Sequence, residues 1–259
     1  MPGLDPFKLA EEVEKHVTRR TARGVERRYY RFRGGRWYGG IATGDVVGCN
    51  LRCKFCWSWR YSYYVEKGWF ESPESSFKKL VSIAAKNSYR YLRLSGGEPT
   101  IGVEHLYKLL ELVEETRYTF ILETNGLLIG RNPEIARELS KYTRLAVRVS
   151  FKGCTPSEFE YLTGARAEFY EYQFRALENL YNYGLKPCED FYPAVMLSFS
   201  TEDSYRGFKK KLASIYPSLP ECIDEEYVIL YPHVKELLKK NKLTPRVAFD
   251  PSGIPEFMI

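Results

Sequence analysis

Three cysteines stand close together near the start of the chain, and their spacing limits what this segment can form. Residues 49–56 read CNLRCKFC, which places Cys49, Cys53 and Cys56 in a CxxxCxxC pattern. Gaps of two and three residues let one tight loop direct several sulfurs to a common inorganic core. Because a cubane cluster has four irons and the loop offers three thiolates, the pattern predicts a cluster with one iron open to a small molecule.

Zinc and disulfide bonding are the other uses that such cysteines have. Structural zinc sites usually take ligands from a second pair of cysteines or histidines about a dozen or more residues away, and no such pair follows Cys56. Disulfide bonding suits the pattern less well, because we find no signal peptide and a chain of 259 residues can build a core without cross-links. Zinc therefore stays open as the alternative to the cluster.

A second motif follows further along the chain. Residues 92–99 read LRLSGGEP, which predicts a strand that runs into a turn made by Gly96 and Gly97. Adjacent glycines at a strand end let the backbone approach a ligand that any side chain would block. Glu98 adds a negative charge, which suits a cationic ligand such as an ammonium or a sulfonium. A plain turn with a solvated Glu98 is the alternative.

Together, and in this order, the two motifs resemble those of the radical S-adenosylmethionine (radical SAM) superfamily, in particular its compact activating enzymes. The resemblance implies that the cysteines hold a 4Fe-4S cluster and that the glycine turn binds the amino group of S-adenosylmethionine. It also implies reductive cleavage of S-adenosylmethionine to a 5'-deoxyadenosyl radical. The site residues implied in the two motifs are Cys49, Cys53, Phe55, Cys56, Gly96, Gly97, Glu98 and Pro99.

Short apolar runs alternate with longer helix-like segments, which predicts βα units and a parallel sheet. The predicted strands lie at about 41–48, 89–95, 118–124, 144–151, 187–198 and 227–231. The predicted helices lie at about 73–86, 103–116, 133–141, 165–183, 204–215 and 234–240, after a capped N-terminal helix over 5–16. Ser72 and Asn132 each precede a proline, as an N-cap precedes the first helical residue, and Gly184 is expected to end a helix.

Six βα units are fewer than a closed barrel of eight needs, so we expect an α/β fold with an open (β/α)6 partial TIM-type barrel. The resemblance implies the same fold. We expect residues 1–40 to form a basic N-terminal extension that packs on the core, 41–242 to form the barrel, and 243–259 to form a C-terminal extension. No segment has the apolar length of a membrane span, and the cysteines form no evident paired framework. We therefore expect a cytoplasmic protein without a membrane partner.

Two further strand ends carry candidate ligand groups. The third predicted strand ends in Thr124, Asn125 and Gly126, a tripeptide similar to one near the cofactor in many superfamily members; a simple turn is the alternative. The fourth ends with Ser150 and Lys152 on one side of the strand. These resemble the Asp-x-Lys strand end of the glycyl-radical-activating enzymes, which implies that Lys152 meets the cofactor carboxylate. Ser150 stands where the acid that meets the ribose would be.

Other aromatic, sulfur-containing and basic residues are less specific. The aromatic residues after the cluster motif either close a dry lid over the site or pack against the first strand; they are Trp57, Trp59, Tyr61, Tyr63 and Tyr64. On the fifth strand, Met196 is expected to pack the adenine. The remaining cysteines are expected to be buried, unpaired thiols, with a place facing the site as the alternative for Cys154; they are Cys154, Cys188 and Cys222.

The net charge is +6, and the basic excess is concentrated before the predicted barrel, among aromatic residues. Arginines beside aromatic rings suit phosphates and stacked bases, so RNA is one candidate substrate. A strand with a solvated basic edge would look the same. The arginines are Arg19, Arg20, Arg23, Arg27, Arg28, Arg31, Arg33 and Arg36.

Four functions stay open on the sequence alone. The leading one is a radical SAM enzyme that acts on a protein or small molecule, with a 4Fe-4S cluster and S-adenosylmethionine as cofactors and a ferredoxin or flavodoxin type of one-electron donor as partner. The second directs the same chemistry at tRNA or another RNA, and predicts salt-sensitive binding that is lost when Arg27, Arg28 and Arg31 are neutralised. The third is a non-catalytic iron-sulfur or zinc protein, and the fourth is a degenerate member that only binds nucleic acid.

Overall fold

A computed structural model describes residues 3–22 and 24–259, and a large mixed sheet dominates it. Its strands, together with those of a second small sheet, are β1 Thr18–Thr21, β2 Gly24–Gly35, β3 Ile41–Val46, β4 Trp69–Glu71, β5 Tyr91–Ser95, β6 Thr119–Thr124, β7 Leu145–Phe151, β8 Phe191–Met196, β9 Asp224–Glu226, β10 Val228–Ile229 and β11 Ala248–Phe249. The helices are α1 Pro6–Val17, α2 Trp59–Tyr63, α3 Pro73–Asn87, α4 Val103–Glu114, α5 Leu127–Arg131, α6 Pro133–Leu139, α7 Pro156–Thr163, α8 Glu171–Asn182, α9 Glu202–Ile215 and α10 Pro232–Lys240.

Six strands of the large sheet run parallel in the order β3-β5-β6-β7-β8-β9. Helices connect successive strands and cover the outer face of the sheet, where α3 contacts β3 and β5, and α8 contacts β7 and β8. In the described part of the chain no pairing joins β3 to β9, so the barrel is open. The expected open (β/α)6 partial barrel is confirmed.

The first five parallel strands overlap the expected ones, but the sixth was misplaced. Residues 227–231 were expected to form it, whereas Asp224–Glu226 pairs with β8. The apolar pattern of 227–231 belongs to β10, which pairs with β11 in the small sheet. Acidic residues are depleted in strands, and β9 is acceptable here because its side chains meet cations from β7 inside the barrel.

Before the first parallel strand, the chain extends the sheet with antiparallel strands. β2 pairs with β3, and both β1 and β4 pair with β2. The expected N-terminal helix is α1, which Asp5 caps by accepting hydrogen bonds from the backbone of Phe7 and Lys8 at 3.0 and 3.2 Å. Arg23 lies outside the described residues. Within the described ranges, no helix is both long and apolar enough to cross a membrane.

Helix positions agree with the expected ones at three predicted caps. Ser72 and Asn132 cap α3 and α6 with proline next in the chain, and Gly184 adopts the left-handed conformation (φ 92°) after α8. The expected helix over 165–183 begins with a short 3-10 turn, Ala167–Tyr170, before α8. The helices α2 and α5 were not expected, because helices of this length give little periodic signal; α7 was also missed, although Thr155 caps it before Pro156.

Cys188 and Cys222 form a disulfide with a Cα–Cα distance of 5.5 Å. The expectation that both are unpaired thiols is therefore wrong. The two residues are far apart in sequence, and no local pattern predicts the bond. They come together because Cys188 lies three residues before the start of β8, Cys222 lies two residues before the start of β9, and these strands are neighbours. The bond thus joins the starts of the last two parallel strands.

We expect that replacing both Cys188 and Cys222 with serine lowers the free energy of unfolding by about 3–4 kcal/mol, because a cross-link between distant residues restricts the unfolded chain. The sequence separation that this bond closes is 34 residues. Urea unfolding of the metal-free protein measures the change. Dithiothreitol should lower the urea midpoint of the wild type and leave that of the double variant unchanged. A wild-type midpoint that is the same with and without dithiothreitol would contradict the disulfide bond.

Candidate functional site

A cavity of about 940 Å³ lies at the carboxyl ends of the parallel strands. Residues of both sequence motifs and of the next two strand ends line it together. The predicted site residues in its wall are Cys49, Cys53, Phe55, Cys56, Gly96, Gly97, Glu98, Thr124, Asn125, Ser150 and Lys152. Pro99 is buried behind the glycine turn and is not part of this wall. Met196 also faces the cavity.

The cysteine loop directly follows β3 and is held in place from the opposite side by α7. The backbone N–H of Arg52 donates to the carbonyl of Thr163 at 3.2 Å, and that of Lys54 donates to the carbonyl of Leu162 at 2.9 Å. These bonds use the free carbonyls at the end of a helix, which need partners outside it. The loop is thus fixed by backbone contacts, and its cysteine side chains are free to face the cavity.

Burial controls the ionisation of the three cysteine thiols. It raises the pKa of each of them, and brings that of Cys49 to about 12. Two groups favour the thiolates: the charge of Lys152 acts on Cys53, and the backbone of Leu51 donates to Cys49 Sγ at 3.4 Å. A buried thiol of this kind keeps its proton until a metal ion displaces it. The loop is therefore suited to bind metal through its sulfurs.

Asn50, inside the loop, provides a test of whether an iron-sulfur cluster fits. Its side chain is fully buried, and Nδ2 has no hydrogen-bond partner, while Oδ1 accepts from Asn125 Nδ2 at 2.7 Å. An unsatisfied buried donor costs about 1–3 kcal/mol, which a sulfide or a cofactor oxygen bound beside the loop would relieve; Asn50 itself is not part of the cavity wall, but its neighbours Cys49 and Leu51 are. Among the residues described, no three His, Cys, Asp or Glu side chains converge on one metal ion, whereas a cubane takes thiolates at separate irons. The residues present fit a cluster.

The glycine turn after β5 is required by close packing against the protein's own backbone. A Cβ on Gly97 would lie 2.1 Å from the carbonyl oxygen of Gly48, and one on Gly96 would lie 2.8 Å from Tyr30 Oη. Gly96 also has a φ of 86°, in the region that favours glycine. The two glycines were expected to make room for a ligand. The packing of Gly97 against the start of the cysteine loop, and of Gly96 against Tyr30 and Asp45, is a sufficient physical reason for both glycines.

Glu98 joins the ends of two strands. Its carboxylate accepts from the backbone N–H of Thr100 at 3.1 Å, the hydroxyls of Thr100 and Thr124, both at 2.7 Å, and the backbone N–H of Asn125 at 2.8 Å. Gly126 adopts the left-handed turn conformation there, with a φ of 77°. Thr124 and Asn125 therefore hold Glu98 as well as line the cavity. Contacts of these residues with the cofactor stay a prediction.

Glu226 was missed in the sequence and lies next to the predicted pair on β7. Ser150 Oγ donates to both of its carboxylate oxygens at 2.9 Å, Lys152 Nζ lies 3.4 Å from one of them, and Arg148 donates at 2.6 Å. Lys152 also contacts Ser150. Burial alone raises the pKa of Glu226, but the charges of Lys152 and Arg148 outweigh it and lower that pKa to about 2. The carboxylate is ionised in the site.

Further charges line the cavity; the strand ends make Glu123 and Arg148 candidate ligand groups, whereas Arg93 and Asp224 were missed. Arg93 donates to Glu123 at 2.6 Å, and the hydroxyl of Tyr38 donates to the same carboxylate at 2.9 Å. Arg148 also pairs with Asp224 at 2.6 Å. The available signal was alternation, because polar residues at every second position of a strand share one face. When neighbouring strands are compared, this alternation places these charges inside the barrel.

Two of the arginines proposed for RNA binding serve the fold instead. Arg27 is 1 % exposed and donates to the carbonyls of Ile101 and Val17 at 2.9 and 3.3 Å. Arg28 stacks on Phe70 at 4.3 Å and donates to backbone carbonyls. The expectation that Arg27 could contact a phosphate is therefore wrong, because a fully buried guanidinium cannot reach one.

The aromatic residues after the cysteines divide between the two expected roles. Trp57 and Tyr63 line the cavity. Tyr61 stacks on Tyr30 with ring centroids 3.7 Å apart, and Trp59 packs against Tyr63. The segment is thus partly a cavity wall and partly a packed connection to β2.

Cys154 does not face the site. It is 5 % exposed, does not belong to the cavity wall, and its backbone N–H donates to Glu158 at 2.7 Å. Burial raises the pKa of its thiol to about 12. The default expectation of a buried apolar thiol describes Cys154 correctly.

Comparison with known proteins identifies the class. Residues 45–196 match the Radical SAM superfamily, a range that includes the cysteine loop, the glycine turn, the end of β3 and four further parallel strands, β5 to β8. The chain therefore belongs to the radical SAM superfamily, an enzyme family whose members bind a 4Fe-4S cluster and S-adenosylmethionine.

Curated relatives match part of the chain. A probable GTP 3',8-cyclase of Methanococcus vannielii is 25% identical over 200 residues, which are 75% of this chain and 64% of the relative. A 7-carboxy-7-deazaguanine synthase of Hyperthermus butylicus is 35% identical over 83 residues, 32% of this chain and 33% of the relative. The chain thus spans less than two thirds of the length of these relatives.

Solved structures support the fold. SuiB of Streptococcus suis bound to S-adenosylmethionine superposes with a TM-score of 0.56 at 13% identity, over 82% of this chain and 49% of SuiB. SuiB bound to its precursor peptide SuiA gives 0.54 at 15% identity, over 82% and 48%. At these identities the likeness concerns the fold, and it agrees with the open partial barrel.

Acid should weaken the native state through Glu226. Its pKa falls from 4.5 to about 2 on folding, so the stabilisation is complete above about pH 5 and disappears as the pH falls towards 2. We expect Glu226→Gln to be less stable at pH 7 and to lose less stability than the wild type between pH 5 and about pH 2.5. Urea unfolding of the metal-free protein measures both slopes, and Glu202→Gln, in an exposed helix start, is the control. If the free energy of unfolding falls equally steeply with falling pH in the wild type and in Glu226→Gln, the pairing of Glu226 with Lys152 and Arg148 is refuted.

Proposed function

We propose that the protein is a radical SAM enzyme that reductively cleaves S-adenosylmethionine and abstracts hydrogen from a small-molecule substrate. The observation that carries the proposal is that three thiols and the Ser150–Lys152 strand end face one cavity, with the unpartnered buried amide of Asn50 directly after the first cysteine. When bound, the reduced cluster and S-adenosylmethionine supply a 5'-deoxyadenosyl radical. The chain's own residues bind the two cofactors, orient them and keep water away.

The roles follow from the contacts. Cys49, Cys53 and Cys56 would hold the cluster, and Asn50 Nδ2 would donate a hydrogen bond beside it. Lys152 would bind the carboxylate of S-adenosylmethionine, since it is a buried cation whose charge reaches the cysteines. The burial of Lys152 lowers its pKa, but the charge of Glu226 raises it by more, so the side chain stays positive.

Apolar and aromatic side chains form the remaining wall. Phe55 packs against Phe199 at 5.5 Å between ring centroids, and Tyr192 and Met196 face the cavity from β8. Such a wall leaves little room for water and offers a flat surface for the adenine. The expected adenine contact of Met196 is part of this proposal.

A small molecule is the substrate class that the observations favour. The cavity has the volume of a small-molecule site, which is about 300–1,000 Å³, and the curated relatives named above are enzymes of guanine-related compounds. A protein substrate is the weaker candidate. RNA is weaker still, because Arg27 and Arg28 are used within the fold. A ferredoxin or flavodoxin would supply the electron.

Anaerobic reconstitution with iron and sulfide tests the proposed function. Cys53→Ala should lose the cluster and the formation of 5'-deoxyadenosine, because a cubane with two thiolates is poorly held. Cys154→Ala is the matched control and should keep both, since Cys154 lies outside the cavity wall. Iron content, visible absorption and 5'-deoxyadenosine after reduction are the measurements. A wild-type protein that holds a reducible cluster and yields no 5'-deoxyadenosine would leave the non-catalytic iron-sulfur alternative.

The role of Lys152 has its own measurement. We expect Lys152→Gln to weaken binding of S-adenosylmethionine by about tenfold or more, because a charge-assisted hydrogen bond contributes about 1.5–3 kcal/mol. Isothermal titration of the reconstituted, unreduced protein measures the affinity. Lys186→Gln is the control, since that side chain is exposed. If Lys152→Gln and the wild type bind S-adenosylmethionine with equal affinity, Lys152 only neutralises Glu226.

A further inference from the structure

A bulge in β2 turns two arginines towards the cavity. The register of β2 against β3 shifts between Tyr29 and Arg31. Before the bulge, Tyr29 faces the helices and contacts His105; after it, Arg31 and Arg33 line the cavity. A bulge re-aims the side chains that follow it, and bulges are frequent beside active sites. Without the bulge, the period-2 alternation would point these arginines to the helix side.

The two arginines share a single buried carboxylate. Arg31 Nε and Arg33 Nε lie 2.6 and 2.9 Å from the same oxygen of Asp45, and a terminal nitrogen of Arg33 lies 3.3 Å from the other oxygen. The side chain of Asp45 is fully buried, whereas that of Arg31 is 46% exposed. Two cations therefore face one anion, and one positive charge is left over.

The other ion pairs in the wall are balanced. Arg93 pairs with Glu123, and the two cations on β7 pair with the two acids on β9. Among the ion pairs of the described cavity wall, only Arg31 and Arg33 therefore leave a positive charge without an acid of its own; the other two carboxylates of the wall, Glu98 and Glu225, accept hydrogen bonds from neutral groups. Asp45 fixes the two guanidinium groups through their Nε atoms and leaves terminal nitrogens of the pair for another acceptor.

The indole of Trp57 completes this part of the wall. Its ring centroid lies 5.8 Å from the Cζ atom of Arg31 and 5.7 Å from that of Arg33. The side chain is 37% exposed, and the Trp57 carbonyl is hydrogen-bonded by His233 at 2.7 Å. Trp57 follows the last cysteine directly, so the arginine pair lies in the same cavity as the cluster loop.

We propose that Arg31 and Arg33 bind a phosphate group of the substrate. This inference rests on the proposed function, because it assigns a substrate to the same cavity. A phosphate suits the pair better than a carboxylate, because it presents three oxygens and up to two negative charges to two guanidinium forks. The carboxylate of the cofactor has its own cation in Lys152, which stands on β7, three strands away from β3. The substrate is therefore a small phosphorylated molecule.

The test is calorimetric titration of inorganic pyrophosphate into the reconstituted protein, saturated with S-adenosylmethionine and left unreduced. We expect Arg31→Gln and Arg33→Gln each to weaken pyrophosphate binding by about tenfold or more, and to change the affinity for S-adenosylmethionine by less than about twofold. Arg36→Gln is the matched control, since Arg36 is exposed and lies outside the wall; it should bind as the wild type does. Circular dichroism checks folding, and Arg31→Lys, which keeps the charge without the fork, should still bind at least about threefold more weakly.

Four results would overturn the proposal. They are no pyrophosphate binding by the wild type, binding that the two Gln substitutions leave unchanged, tighter binding of malonate than of pyrophosphate, and a loss of S-adenosylmethionine affinity as large as that for pyrophosphate. The last would assign the pair to the cofactor. Failure of the proposed function is seen separately, as absence of 5'-deoxyadenosine from the reduced wild type.

Discussion

The carboxylate of Glu98 is the interaction on which the site depends. It accepts four hydrogen bonds from Thr100, Thr124 and Asn125, three of them on Oε1 and one on Oε2. Its backbone N–H donates to the carbonyl of Gly48 at 2.8 Å, immediately before the cysteine loop. One buried residue thus ties together the ends of β3, β5 and β6. The cysteine loop, the glycine turn and the Thr124–Asn125 end hold their relative positions through it.

The pairing of charges inside the barrel explains how so polar an interior can be buried and form a site. Buried charges are costly unless they are paired and hydrogen-bonded, and the β7 cations have acids on β9 as partners. That pairing depends on β9, a strand of three residues whose start is cross-linked to that of β8 by the disulfide. At β3, Asp45 is likewise the acidic partner of cations, but it is shared by two arginines. The ion pairs between β7 and β9 stabilise the fold, whereas the unmatched positive charge of Arg31 and Arg33 is available to a ligand.

The sequence predicted the parallel barrel and the membership of the cavity wall well, because both rest on local signals. Apolar periodicity placed β3, β5, β6, β7 and β8, and compact motifs placed the cysteines and glycines. The failures at β9, the disulfide and Arg27 share one cause, which is that contacts between distant residues leave no local pattern. Asp224–Glu226 reads as a loop until Arg148 is known to face it. In the same way, Cys188 pairs with Cys222 only because two strands are neighbours, and Arg27 is indistinguishable from Arg31 until the bulge separates them.

The central claim is that three thiolates hold a cluster with one iron left for S-adenosylmethionine. The most direct measurement is electron paramagnetic resonance of the reduced, reconstituted protein with and without S-adenosylmethionine. We expect the signal of a reduced 4Fe-4S cluster whose g values shift when the cofactor is added, because a ligand at an iron changes the cluster electronically. A colourless zinc-loaded protein, or a cluster whose spectrum is the same with and without S-adenosylmethionine, would contradict it.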